Sequence, residues 1–443
     1  MTDKPLHAVL LPPPAASACT GSRLLEALAA ALDGSGPAIL PLDPALPKAR
    51  LDELLAAFAP SSLETAEGSQ RLALSQSGAI AGPGVAADVA VVLATSGSTG
   101  KPKGVELSAA ALLASARAAL DRLGARPGQR WLCGLPTHHI SGLGIMVRSL
   151  VADSVPVVTA QLDPEVVASA ARAAAGASSG ANPTPGTNLL PGGANPAPGT
   201  NPLPECDYLS VVPTQLRRLL DAGAPLAAFR AILLGGAAIP PGMLAEAAAS
   251  GARVVTTYGM TETCGGCVYD GVPLDQVRVT ASADGRLRIS GPVLFSGYRL
   301  APELTAPALD DGWFVTSDLG GVGPDGRVSV RGRADDVINS GGEKIVASEV
   351  EDALRTCAAV RDAVVLGTPD PHWGERVTAL VIPSDPADPP SLRQIREQLS
   401  ASLPRYAAPQ ALLLVAEIPL LPSGKPDRQL LRQIAQSADP SAN

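Results

Sequence analysis

The stretch Thr95-Ser96-Gly97-Ser98-Thr99-Gly100-Lys101-Pro102-Lys103-Gly104 follows an apolar run, Val89 to Leu93. A short apolar run closed by a glycine-rich segment reads as a buried strand that ends in a rigidly held loop. Gly97, Gly100 and Gly104 let the backbone turn so that successive N–H groups face one anion. Ser96, Ser98 and Thr99 add hydroxyl donors, and Lys101 and Lys103 add charge. This is not a Walker A loop, which needs Gly at 95 and Ser or Thr at 102. A glycine/serine linker would share the composition, but not the strand in front or the two lysines. The expectation is therefore a phosphate cradle.

The rest of the chain alternates apolar strands with Ala/Leu helical segments, such as Ala231–Leu234, then Gly242–Ala249, then Val254–Tyr258. That alternation predicts an α/β architecture (mixed α+β), with layered sheets and helices in a large N-terminal domain. Asp284-Gly285 and Asp325-Gly326 sit between short strands around Leu287–Ser290 and Val328–Val330, which predicts antiparallel hairpins. After Asp335 the pattern resets into a compact α/β unit. Ser348 with Glu351, and Ser391 with Gln394, have the spacing of capping boxes before amphipathic helices. The polar junction Gly332-Arg333-Ala334-Asp335-Asp336 divides the chain into domains 1–334 and 335–443. Between 176 and 204 two near copies of G-A-N-P-x-P-G-T-N, 13 residues apart, read as a flexible surface insertion without chemistry.

At 443 residues, two or three domains are required. The formal net charge of −8 argues against nucleic-acid binding, so a polyanionic ligand needs a local basic site like the glycine-rich loop. The six cysteines are scattered, as reduced thiols in a cytoplasmic protein would be. Cys264 and Cys267 form one C-x-x-C, but no second pair or nearby histidines complete a zinc site. No apolar run reaches the roughly 18 residues of a membrane span. Pro12-Pro13-Pro14 interrupts the N-terminal apolar stretch, against a signal peptide.

Four further segments carry polar chemistry. Gly235-Gly236-Ala237-Ala238 follows a strand and permits close approach of a flat ring. Tyr258-Gly259-Met260-Thr261-Glu262-Thr263 places a hydroxyl and a carboxylate after a strand end. Thr316-Ser317-Asp318 and Gly332-Arg333 suit ribose hydroxyls. Pro422-Ser423-Gly424-Lys425 puts one ammonium on a turn near the C-terminus. Taken singly, each has an ordinary structural explanation as a cap, a turn or a solvated lysine.

Together, in this order, they resemble the adenylate-forming superfamily of acyl- and aryl-CoA synthetases, luciferases and peptide-synthetase adenylation domains. The likeness runs from about Val89 to Gln433. It implies a two-domain fold in which the small C-terminal domain is a mobile lid, with ATP, Mg²⁺ and coenzyme A as partners. By the same likeness, Thr95, Ser96, Gly97, Ser98, Thr99, Gly100, Lys101 and Lys103 hold phosphates. Gly235, Gly236, Ala237 and Tyr258 border adenine, and Asp318 with Arg333 takes the ribose. Glu262 holds Mg²⁺ and Thr261 lies near the α-phosphate. Asp335 is the hinge, and Lys425 serves the first half-reaction. Ser340, Gly341, Gly342 and Glu343 line the thiol's path.

The phrases P-T-H-H-I-S-G-L-G-I-M-V-R-S-L and T-E-T-C-G-G-C-V-Y-D narrow the likeness to o-succinylbenzoate–CoA ligases of menaquinone biosynthesis, closest to actinobacterial forms. His139 would then sit beside the acid, and Arg148 would hold its second carboxylate; the competing reading has Arg148 snorkelling from an apolar helix. His138 departs from the aromatic residue usual in those ligases. Only 94 residues precede the phosphate loop, fewer than usual, which leaves surface for a homodimer to cover. Alternatives are a CoA ligase for another aryl or dicarboxylic acid, a stand-alone adenylation domain charging a carrier protein, and a non-catalytic nucleotide sensor. A sensor would need neither Lys425 nor Glu262.

Overall fold

The run Val89 to Leu93 is buried throughout and lies in the strand Val89–Ser96, as its composition requires. The structure is a computed structural model that describes residues 3–11, 17–18, 22–72, 83–96, 102–171, 203–420 and 426–438. It divides into two units, Met1–Ala94 with Ser108–Leu234 and Ala245–Val255, and Thr95–Leu107 with Gly235–Leu244 and Thr256–Asn443. The 176–204 insertion falls almost wholly outside the described residues.

The first unit holds two largely parallel sheets. In one, Leu6–Leu10 lies between Ala38–Pro41 and Ser62–Thr65, parallel to both. Ala38–Pro41 in turn pairs in parallel with Val89–Ser96 at Ile39 and Val91. Helices Arg23–Asp33 and Lys48–Phe58 make the crossovers that parallel pairing demands. The apolar stripe of Lys48–Phe58 meets the strands in a core of Leu6, Ala8, Leu40, Leu54, Phe58, Val89 and Val92. In the other sheet, Trp131–Cys133 lies between Tyr208–Val211 and Val157–Val158, again in parallel. Helix Ala109–Leu123 turns Leu112, Ala116, Ala119, Leu120 and Leu123 inward, and most of the first-unit helices are similarly rich in alanine. With aromatics at 3% of the chain, small side chains that let backbones approach fill the core.

The second unit contains the antiparallel hairpins expected at the Asp-Gly turns. Arg278–Ala281 pairs with Arg286–Ser290, and Trp313–Val322 pairs with Val328–Arg333. Towards the C-terminus a further sheet runs in the order Glu343–Val346, Val337–Ser340, Gly374–Pro383, Val360–Asp370, with Ala411–Leu414 added in parallel on Gly374–Pro383. Side chains alternate across this sheet. Val365, Ala379 and Val381 face helices Ala347–Arg355 and Leu392–Leu399, while Val364, Leu366 and Leu380 face helix Arg428–Ser437. One apolar strand pair thus serves two cores.

The Ser391–Gln394 capping box forms as expected: Gln394 N donates to Ser391 Oγ (3.3 Å), and Ser391 N donates to Gln394 Oε1 (2.8 Å). The Ser348–Glu351 box does not. Helix Ala347–Arg355 is preceded by Val346, and the Ser348 hydroxyl donates to the carbonyl of Arg331. Glu351 is buried and accepts from Val365 N (2.9 Å) and Arg428 Nη2 (2.8 Å). Arg428 also donates to the Val365 carbonyl (2.9 Å) and lies 3.3 Å from Asp336. Tertiary partners took both side chains from the cap.

Breaking a buried ion pair from one side strands the other charge. Arg428→Met should therefore cost about 2–4 kcal/mol of stability. Glu351→Gln combined with Arg428→Met should recover part of that loss, read from denaturant midpoints in a double-mutant cycle.

Candidate active site

In the second unit, the antiparallel register sets Asp318 directly opposite Arg333. Arg333 Nη1 donates to Asp318 Oδ1 (3.0 Å), and the Tyr258 hydroxyl donates to Oδ2 (2.8 Å). Asp318 N donates to Thr316 Oγ1 (3.0 Å), so the T-S-D turn is self-bonded and its carboxylate is aimed. Burial and the adjacent Asp318 carboxylate both push the Tyr258 phenol well above its ordinary range, so it stays a neutral donor. Arg333 also reaches Asp335 Oδ2 (2.9 Å), tying the expected hinge residue to the expected ribose site. An ionised carboxylate has about four lone-pair sites, so Asp318 retains acceptor capacity for a diol.

Glu262 lies in the short turn Thr261–Thr263 that ends the strand Val254–Met260. Thr263, fully buried, accepts from Met260 N (2.9 Å) and donates to the Gly265 carbonyl (2.8 Å), which pins the turn. Glu262 is held twice. Its carbonyl accepts from Phe295 N (2.9 Å), and Oε1 accepts from the Tyr298 hydroxyl (2.9 Å). Burial first, and the Glu262 charge second, raise the Tyr298 phenol far above its ordinary value. Lys103 Nζ stands 5.3 Å from the centroid of the same Tyr298 ring. Thr95 Oγ1 donates to the Lys103 carbonyl (3.3 Å), linking the two ends of the glycine-rich loop. Ser96 closes the strand Val89–Ser96. Gly97, Ser98, Thr99, Gly100 and Lys101 lie outside the described residues.

Gly235 cannot be replaced without rearrangement, since a Cβ there would collide with Thr257 Oγ1 and stand 2.7 Å from the Thr257 carbonyl oxygen. Gly236 has a φ of +85°, so the backbone before Ala237 takes a turn closed to most side chains. Glu262, half-exposed and with one oxygen committed among the described residues, suits Mg²⁺, which takes one or two protein carboxylates and fills the remaining positions with phosphate oxygens and water. Among the described residues no group of three or more His, Cys, Asp or Glu forms a metal cage. Cys264 and Cys267 are buried, and burial pushes the Cys267 thiol up to about 12.

In the first unit, Leu135-Pro136-Thr137-His138-His139 leads from the carboxyl end of the strand Trp131–Cys133 into helix Ile140–Val151. In parallel sheets that end is where ligands bind. A Cβ on Gly142 would collide with the Pro136 carbonyl oxygen, so the loop closes tightly over the first helical turn. His139 stands at the helix N-cap with its ring 4.5 Å from that of His138. His138 Nε2 is 3.9 Å from Asp43 Oδ2. Burial lowers the His138 imidazole below its ordinary value, and the Asp43 charge opposes that.

Arg148 is not brought to His139. It lies nine residues further along the helix, roughly 13 Å at an α-helical rise. Its guanidinium carbon is 4.4 Å from the ring centroid of buried Trp131, at the start of the strand. Trp131 in turn stacks on Tyr208, with ring centroids 4.8 Å apart. The helix carries Arg148 towards the end opposite His139, onto an indole, so the two residues expected at the acid lie apart along it. Arg148 does not snorkel freely.

Ser340 is buried, and its Oγ accepts from Gln410 Nε2 (3.3 Å). Gly341 and Gly342, with φ of +61° and +88°, form the turn between Val337–Ser340 and Glu343–Val346. Pro422, Ser423, Gly424 and Lys425 lie outside the described residues, while Leu420 and Pro426 on either side pair with each other.

The profile of the family described as "AMP-binding enzyme" matches residues 25–174 and 204–288, and that of "AMP-binding enzyme C-terminal domain" matches 349–425. The chain belongs to the family of AMP-binding enzymes. It is 43% identical, over 80% of its length and 86% of the relative's, to a probable 2-succinylbenzoate–CoA ligase of Mycobacterium tuberculosis. It is 31% identical to the 2-succinylbenzoate–CoA ligase of Enterococcus faecalis, over 76% of this chain and 68% of that one. Among solved structures, o-succinylbenzoate CoA synthetase from Bacillus subtilis in complex with its acyl-adenylate intermediate matches with a TM-score of 0.76. That match has 25% identity and covers 98% of this chain and 89% of the other.

Sequence reasoning missed Tyr298, Trp131 and Asp43. Tyr298 is one of only five tyrosines and directly follows a glycine, a signal that its scarcity makes usable. Trp131 and Asp43 carry no comparable local signal.

A histidine held below its ordinary pKa resists protonation only while folded. The unfolded chain binds the extra proton first, so stability is present above about pH 6.5 and falls as the pH drops below it. His138→Phe should flatten that fall by at most about 1.4 kcal/mol per pH unit, measured by denaturation between pH 7.5 and about 5. His7, also lowered by burial, should leave a residual slope.

Proposed function

We propose that the protein is an AMP-forming acid–thiol ligase that adenylates 2-succinylbenzoate and transfers the acyl group to coenzyme A, a step of menaquinone biosynthesis. The single observation carrying this reading is the 43% identity to the mycobacterial ligase, extending over 86% of that chain. The aimed pairs Asp318–Arg333 and Glu262–Tyr298 support it, because they supply the charges a nucleotide triphosphate needs. The protein would act in the cytoplasm.

In the first half-reaction a substrate carboxylate oxygen attacks the α-phosphorus of ATP, forming acyl-AMP and releasing pyrophosphate. Two anions must meet, so alignment and charge neutralisation carry most of the catalysis. Asp318, with Arg333 behind it, takes the ribose hydroxyls, and Tyr258 and Gly235 to Ala237 border the base. Residues 95–103 hold the β- and γ-phosphates through loop amides, hydroxyls and lysines. Glu262 holds Mg²⁺, which when bound neutralises phosphate charge, and Thr261 lies beside the α-phosphate. Lys425 reaches the carboxylate and α-phosphate oxygens. His139 sits against the aromatic acid.

In the second half-reaction the coenzyme A thiol attacks the acyl carbonyl carbon. The thiol proton is lost, AMP leaves with the bonding pair, and a thioester forms. Ser340, Gly341 and Gly342 line its approach. Domain 335–443 would pivot at Asp335 between the steps, breaking the Arg333–Asp335 contact that now bridges them.

A pyrophosphate-release screen over aromatic mono- and diacids tests the acid. 2-Succinylbenzoate should give the highest kcat/KM and, with free coenzyme A, a thioester detectable by mass. Release with another diacid but not with this one would overturn the assignment. Lys425→Ala should slow pyrophosphate release by about 10²–10⁴-fold while leaving thioester formation from supplied acyl-AMP largely intact. Arg148→Ala should change kcat/KM by the same factor for monoacids and diacids, since its partner is Trp131 rather than substrate.

A further inference from the structure

One side chain links two groups that would otherwise be placed independently. The segment 295–298 grips the metal carboxylate from two directions: Phe295 N holds the Glu262 carbonyl and the Tyr298 hydroxyl holds Oε1. The Tyr298 ring is fixed by Phe295, with centroids 4.9 Å apart, and Phe295 packs edge-on against Phe314 at 5.2 Å. Its backbone pairs with Val105, two residues beyond Lys103, and Tyr298 N donates to Thr305 Oγ1 (2.8 Å). The exposed side of the ring takes the Lys103 ammonium, at 5.3 Å from the centroid.

We infer that Tyr298 is a positioning residue for the nucleotide–metal step, whose hydroxyl orients the Glu262 carboxylate and whose ring sets the Lys103 ammonium beside it. This rests on the reading of Glu262 as the metal-holding carboxylate. Without the hydroxyl, Glu262 is free to rotate and its oxygen must be re-ordered each time the metal arrives. Without the ring, the loop lysine also loses its platform, and nucleotide binding suffers even when no metal is present. Tyr298 touches neither the acid nor the thiol, and it acts through Glu262 and Lys103.

The two halves of the side chain separate experimentally. Mn²⁺ binding is followed by electron paramagnetic resonance on the full chain saturated with α,β-methylene-ATP, and analogue binding without metal by calorimetry. Tyr298→Phe, which keeps the ring, should weaken Mn²⁺ about three- to ten-fold, the scale of one lost hydrogen bond, and leave metal-free analogue affinity unchanged. Tyr298→Leu should weaken both. Glu262→Gln is the control for the underlying reading and should weaken Mn²⁺ at least as much as Tyr298→Phe. If Glu262→Gln leaves Mn²⁺ affinity intact, the metal assignment falls and the inference with it. If Glu262→Gln weakens Mn²⁺ but Tyr298→Phe does not, Glu262 keeps its role and Tyr298 loses its own. Unchanged melting temperatures for Tyr298→Phe exclude simple destabilisation as the source of the effect.

Discussion

The Asp318 carboxylate is the fixed charge on which the second unit is organised. It is buried, and strand register alone sets it opposite Arg333. A carboxylate out of water must be met by hydrogen-bond donors. Tyr258 and Arg333 supply those donors from two different strands. In doing so they bring the end of the Y-G-M-T-E-T strand, and therefore Glu262, into a defined relation with the Asp318–Arg333 pair. Arg333 turns its second terminal nitrogen, Nη2, to Asp335. Three motifs that are far apart in sequence are thus held by one ionised group.

That arrangement also explains how an acidic chain can handle a polyanion. The net charge is −8, yet the local charges are interleaved: the Asp318 carboxylate meets the Arg333 guanidinium, and the Tyr298 ring that bonds Glu262 also carries the Lys103 ammonium. The two phenols near these carboxylates, Tyr258 and Tyr298, are kept neutral by burial and by the negative charge they face. They donate hydrogen bonds without adding charge to a site that must accept a triphosphate. Anion affinity here is a property of placement, not of composition.

Much of this was legible in the sequence because motif residues are contiguous and sit at strand ends. The run Val89 to Leu93, the Asp-Gly hairpins and the Ser391 cap all follow from local periodicity and turn chemistry, and all form. What failed did so where a partner is distant. Ser348 has the spacing of a cap, but its hydroxyl is captured by the Arg331 carbonyl across 17 residues. Tyr298 meets Glu262 across 36 residues, a relation that no window of sequence contains.

The lid's interior repeats the logic of the site. Helix Arg428–Ser437 begins three residues after Lys425, and Arg428 at its first position reaches both Glu351 and Asp336. Asp336 adjoins Asp335, so the helix following the lysine is anchored by ion pairs to the residue beside the proposed pivot. The proposed delivery of an ammonium by this domain would require it to move as one piece, since an error of about 1 Å at a reacting centre can cost two orders of magnitude in rate. An apolar contact at Arg428 would tolerate sliding. A guanidinium shared between two carboxylates and a backbone carbonyl does not, because every displacement breaks a charged hydrogen bond in a place where water cannot easily replace it. The polar seam formed by Arg428, Glu351 and Asp336 therefore fixes helix Arg428–Ser437 to the start of the C-terminal sheet.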